Sequence, residues 1–115
     1  MGMTIDALAK KVGARILVRG RARSTEIDGI YASDRMSDLL SRVSDSTLLI
    51  TPLLTSSIVR MVELMDVPGI CLLNDAEPSA PLLEAAREYR ATLLVMQYDM
   101  DETCRRFREA LGLEP

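Results

Sequence analysis

Three short apolar runs set the narrowest limits on what this chain can become. Residues 46–51 (STLLIT), 69–73 (GICLL) and 91–97 (ATLLVMQ) are too short for core helices and apolar on both faces of an extended chain. Runs of this kind are strands buried on both sides. Between and after them the spacing changes to the helical period. Ile58, Val59, Met61, Val62, Leu64 and Met65 cover a wide arc of one helix. Leu82, Leu83, Ala86 and Tyr89 share a side of a second, and Met100, Cys104, Phe107 and Leu111 a face of a third. Strands joined by helical crossovers predict a mostly parallel sheet between two layers of helices, a three-layer α/β/α architecture.

The first part of the chain carries clear helix punctuation. Thr4 is placed to cap a first turn, and Ile5, Leu8, Ala9 and Val12 form an i, i+3, i+4, i+7 stripe that Gly13 can end in a left-handed cap. A helix over residues 5–12 follows. Residues 15–19 (RILVR) read as a strand, 20–25 as a polar, basic loop, and 26–32 (EIDGIYA) as a second strand. Ser33 or Asp34 is expected to cap a helix through Met36, Leu39, Leu40 and Val43, and Ser56 or Ser57 to cap the helix after residue 51. Ser79 is the expected cap of the next helix, with Pro81 in its first turn, where proline is tolerated. The last helix should begin near residues 99–101 and stop at Gly112. With 115 residues and no linker, a single domain over 1–115 is expected. Its core must be aliphatic, because the chain has no Trp and one Phe. Leu48, Ile50, Ile70, Leu72, Leu94 and Met96 are its predicted centre.

Charge excludes some partners. Fourteen basic and seventeen acidic residues give a net charge of -3, too balanced for nonspecific nucleic-acid binding. Lys10, Lys11, Arg15, Arg19, Arg21 and Arg23 concentrate positive charge early, on a solvated edge or at an anion or partner site. No run approaches the roughly 20 apolar residues that span a bilayer, and the start lacks the apolar region of a signal peptide. No membrane association is therefore expected. Cys71 and Cys104 stand alone, as reduced thiols of a cytoplasmic protein would.

Catalytic machinery is missing. With no His, the commonest general base and metal ligand is gone. Neither G-x-x-x-x-G-K-[ST] nor G-x-G-x-x-G occurs, and no carboxylate cluster has metal spacing. Cys104 would need a base to act as a nucleophile, and the expected position is the C-terminal half of its helix, the wrong dipole end for a thiolate. No enzyme activity, cofactor or metal is expected. What remains are strand ends, because open α/β sheets bind ligands beyond the carboxyl ends of their strands. Three ends stand out: the 31–38 turn offers Tyr31, Ser33, Asp34, Arg35 and Asp38, the 51–57 turn offers Thr51, Thr55 and Ser56, and residues 74–79 read NDAEPS. Hydroxyls and first-turn amides can hold an anion or simply cap helices. Arg35 adds a planar fork suited to phosphate or carboxylate, or to an ion pair with Asp34 or Asp38.

Taken in order, TIDALAKKVGARIL (4–17), EIDGIYASD (26–34), MSDLL (36–40), STLLIT (46–51), DVPGI (66–70) and CLLND (71–75) form a framework over nearly the whole chain. It resembles the DRTGG domain family, which is similar to the N-terminal domain of HPr kinase/phosphorylase. The Asp-Arg-Thr-Gly-Gly run of the family name does not occur; Asp34 and Arg35 are followed by Met36 and Ser37. The resemblance implies an accessory module. Such domains accompany kinase, phosphotransacetylase or CBS-containing proteins, and some respond to adenine nucleotides. The expected function is a noncatalytic regulatory or ligand-sensing domain acting on a separate partner enzyme or kinase, with a small anionic ligand such as an adenine nucleotide. The alternative is an interaction scaffold that binds no small molecule. A homodimer is also expected, since open sheets have edges to cover and the Met61–Met65 side of its helix should expose apolar surface.

Overall fold

The computed structural model describes residues 2–20 and 26–113. Element order is β1 (Met3–Thr4), α1 (Ile5–Val12), β2 (Arg15–Val18), β3 (Glu26–Ile27), β4 (Gly29–Ala32), α2 (Met36–Ser41), β5 (Thr47–Ile50), α3 (Ser56–Leu64), β6 (Gly69–Leu72), α4 (Ala80–Glu88), β7 (Thr92–Val95) and α5 (Met100–Leu111). The main sheet has the order β2-β7-β6-β5-β4. Its four central and outer strands β4 to β7 run parallel, and β2 joins antiparallel to β7. β1 and β3 form a separate antiparallel pair.

Because β4, β5, β6 and β7 are neighbours in chain order, right-handed crossovers place α2, α3 and α4 on one face. The packing shows this arrangement. Leu39, Ile58, Met61, Val62, Leu82, Ala85 and Ala86 meet Leu49, Ile70, Leu72, Leu93 and Val95. On the opposite face, Ile5, Leu8 and Val12 of α1 and Phe107 and Leu111 of α5 meet Leu48, Ile50, Cys71, Leu94 and Met96. Adjacent strand residues therefore serve two cores, as the period of two requires. All six residues predicted at the centre are buried. At Gly69, an added Cβ would run into Ile5 Cδ1, so glycine lets α1 settle directly on the sheet.

The first helix follows its punctuation: Thr4 Oγ1 accepts from the Ala7 amide at 3.2 Å, and Gly13 ends it at φ 76°. Three expectations are corrected. Residues 26–32 are two strands, not one. Ile27 pairs with Met3 and turns into the α1/α5 core, after which the Asp28 amide donates to Ser46 O and β4 enters the main sheet. Met61 is buried at 2% exposure, so apolar exposure at the end of α3 belongs to Leu64 and Met65. Cys104 lies in the N-terminal half of α5. The 20–25 loop expectation falls largely on residues 21–25, and with it Arg21 and Arg23, outside the described residues. Among the described residues, no helix is long and apolar enough to cross a membrane.

Candidate functional site

The parallel strands put the 31–38 and 51–57 turns side by side. β4 and β5 pair in register from Gly29 with Thr47 to Ala32 with Ile50, and the Ser33 amide donates to Ile50 O at 3.1 Å. By alternation Tyr31 and Ser33 point to the α2/α3 face, as do Leu49 and Thr51. Both turns thus open beside the same two helices at the carboxyl edge of the sheet.

The individual side chains have different duties. Ser33 is buried; its hydroxyl donates to Asp38 Oδ2 at 3.1 Å and accepts from the Arg35 amide at 3.1 Å. Asp38 is thereby tied to the turn. Thr51 is fully buried and its Oγ1 accepts from the Leu53 amide at 3.2 Å, which closes the second turn from within. Tyr31 lies back in β4, with the Arg42 guanidinium 4.9 Å from its ring centroid, and so packs beside α2 rather than at the edge. Asp34, Arg35, Thr55 and Ser56 are exposed. Among the described residues Arg35 makes no ion pair.

The helix starts separate into two classes. α1, α4 and α5 are capped by side chains of Thr4, Ser79 and Asp99. α2 begins at Arg35 and α3 at Thr55, and neither has a side-chain cap. The expected caps at Ser33 or Asp34 and at Ser56 or Ser57 are therefore corrected. Ser33 spends its oxygen inside its own turn, one residue before it could reach the first helical amides, and Ser56 and Ser57 are already helical. At the start of α3 the Thr55 and Ser56 side chains are exposed and no side chain caps the first turn, and Arg35 is exposed at the start of α2, after the neighbouring strand.

The third strand end at the carboxyl edge, residues 74–79, is of a different kind. β6 leads to α4 on one face and β7 to α5 on the other, so the chain diverges between their ends. Asn74 and Asp75 adopt left-handed backbone angles there, φ 55° and 54°. The Asn-Asp pair is the signal, since these residues tolerate that region best after glycine. This crevice is closed by main-chain bonds: the Asn74 amide donates to Tyr98 O and the Asp75 amide to Met96 O, each at 2.9 Å. Asp75, Glu77 and Asp99 around it would oppose an anion.

The two thiols are poor nucleophiles. Cys71 is buried in β6, and burial pushes its thiol far up, with Cys104 adding to the effect. Half-burial also raises the Cys104 thiol, against the pull of Arg108. Cavities of about 370, 440 and 480 Å³ lie elsewhere, at the ends of α3 and α4, between α1 and α5, and beside β2. Among the described residues no three His, Cys, Asp or Glu side chains gather where they could hold a metal ion.

No family model and no curated protein sequence matches this chain. Its fold matches a solved one. The chain is similar to the crystal structure of the CBS and DRTGG domains of the regulatory region of Clostridium perfringens pyrophosphatase, complexed with the activator diadenosine tetraphosphate. The TM-score is 0.76 at 16% sequence identity, over 93% of this chain and 46% of that one. This chain thus spans less than half of that regulatory region. At such identity the likeness is one of fold: a mixed α/β domain with a mostly parallel five-stranded sheet between helical layers, of the kind found in a regulatory region containing a DRTGG domain.

Proposed function

We propose that this chain is a noncatalytic, DRTGG-like regulatory domain that senses a small anionic ligand and acts on a separate protein. The ligand class we favour is an adenine nucleotide, whose phosphates would lie on the 51–57 turn and against Arg35. The observation that carries this reading is the missing cap of α3. Three helices hold a first-turn amide with a side chain of their own, whereas α3 has no side-chain cap: its Ile58 amide donates to Thr55 O at 3.1 Å, and the Ser56 and Ser57 amides are left for a group from outside. The nucleotide activator bound by the similar regulatory region supports the ligand class. A partner enzyme or kinase would read the bound state through the surface around these turns, with Asp34, Thr55 and Ser56 on it and Ser33, Asp38 and Thr51 shaping it from beneath.

Thermal unfolding with adenine nucleotides and sugar phosphates tests this. A ligand at a hundred times its Kd stabilises the native state by about 2.7 kcal/mol. For a domain of this size that raises Tm by roughly 10 °C or more. The rise should be lost in Arg35→Ala and reduced in the double variant Thr55→Ala, Ser56→Ala, while both keep the ligand-free Tm within a few degrees. No shift with any of these anions at millimolar concentration would sink the sensing reading and favour a scaffold that binds protein alone.

A further inference from the structure

Helices that leave the carboxyl edge of a parallel sheet return the chain to its amino edge. There α3 and α4 stop side by side, and between their last turns lies a hollow of about 370 Å³. Three of the six large apolar side chains exposed among the described residues line it: Leu64 at 73%, Met65 at 37% and Tyr89 at 44%. Single exposed apolar side chains are ordinary, but several around one hollow mark a contact surface. The polar lining is acidic. Glu63 and Glu88 are exposed on it, and neither is in an ion pair among the described residues. Asp66 adds a third carboxylate, already engaged within the chain. The end of α3 adds acceptors. Val67 turns its amide to Met65 O at 2.9 Å rather than back to Glu63, and Pro68 has no amide to give Leu64 O. The last turn of α3 carries no basic residue to offset its negative end. Among the described residues Arg90 is the one cation of the lining. It holds φ 58° in the place where α1 and α5 have Gly13 and Gly112.

We infer that this hollow docks a segment of a partner protein in which Lys or Arg stands beside aliphatic residues. The two parts of such a segment match the two parts of the lining. Its aliphatic side chains cover Leu64 and Met65. Its Lys or Arg lays an apolar stem along Tyr89 and carries N–H donors to Glu63, Glu88 and the last carbonyls of α3. An acidic segment would meet two carboxylates and a negative helix end. A second copy on a two-fold axis would bring Glu63 and Glu88 near their own equivalents, so like charges disfavour it. The hollow lies at the opposite edge of the sheet from the 51–57 turn and uses no ligand there, so it stands or falls apart from the sensing reading.

Fluorescence anisotropy of the full chain with short labelled peptides of alternating Leu-Arg, Leu-Glu or Ser-Arg tests the match. The Leu-Arg peptide should bind with a Kd on the order of 10 μM, and the other two at least about tenfold more weakly. The double variant Glu63→Gln, Glu88→Gln and the single variant Leu64→Ser should each weaken Leu-Arg binding about tenfold. All three side chains are exposed, so the fold should keep its Tm. Arg90→Gly should strengthen binding at least about twofold by removing the opposing cation. Unfolding cannot imitate that gain, and glycine suits φ 58°. The double variant Asp45→Asn, Glu77→Gln loses the same charge at exposed places elsewhere and should bind as the wild type does. No Leu-Arg binding at about 1 mM, equal binding of Ser-Arg, hollow variants that bind like the wild type, an Arg90→Gly variant that gains nothing, or a control variant that loses as much would each overturn the proposal. So would light scattering that finds a wild-type dimer and a Leu64→Ser monomer, because a second copy would then hold this face.

Discussion

Cys71 shows how one side chain carries both burial and pH dependence. It is wholly enclosed in β6 between Ile50 and Leu94 of the neighbouring strands and the α1/α5 layer. Removing a thiol from water penalises its charged form, so the folded chain holds this proton far beyond the ordinary range. In the unfolded chain the same thiol ionises near pH 8.5. Above that pH the unfolded state has lost a proton that the folded state keeps. Stability is therefore intact below about pH 8.5 and falls as pH rises, by up to about 1.4 kcal/mol per unit for one such group. Urea midpoints measured from pH 7 to 10 should decline above 8.5, and the decline should be shallower in Cys71→Ala, whose lower starting stability reflects the lost sulfur. A wild-type midpoint flat to pH 10 would contradict the burial of an un-ionised thiol.

Helix ends give the sharpest contrast at the level of elements. Ser79 accepts from the Leu82 amide at 3.3 Å, whereas Thr55, at the equivalent place on α3, makes no such bond. Losing a cap costs about 1 kcal/mol. Ser79→Ala should lower the unfolding free energy by about that amount, and Thr55→Ala by much less, in ligand-free chemical denaturation. Equal losses would mean that Thr55 caps α3 after all. These elements also mark where sequence is informative. Thr4, the 5–12 stripe and Gly13 define α1 to the residue, because cap, face and stop are all local chemistry. The break at Asp28 is not local. Residues 26–32 alternate acceptably as one strand, and only the competing partners β1 and β5 divide them. The antiparallel entry of β2 likewise depends on where β7 lies, which no stretch of 15–19 records. At the candidate site the adjacency of the two turns follows from predicted strands in a parallel sheet. The internal use of the Ser33 and Thr51 hydroxyls does not, since a serine before a helix has the same appearance whether it caps that helix or folds its own turn.

At the scale of the whole molecule the sheet is a shared wall. Leu48 and Leu49 are consecutive in β5 and both fully buried, yet the first belongs to the α1/α5 core and the second to the α2/α3/α4 core. Neither helical layer keeps its contacts if the strands separate, because the same four-residue segments line both. Cooperative unfolding follows, with no state in which one core survives alone. Replacing a buried leucine with alanine costs about 2–5 kcal/mol, against a total of about 5–15 kcal/mol for native proteins. Leu48→Ala and Leu49→Ala should thus be comparably severe although they empty opposite faces. Two probes can check this at one protein concentration. Far-UV circular dichroism follows the helices and sheet together. Near-UV signals come from Tyr98 beside the α1/α5 core and Tyr31 beside the other. In each variant both probes should move to the same lower midpoint in one transition. Separate near-UV and far-UV transitions, or a Leu48→Ala variant that loses only the α1/α5 layer, would show two cores that merely touch.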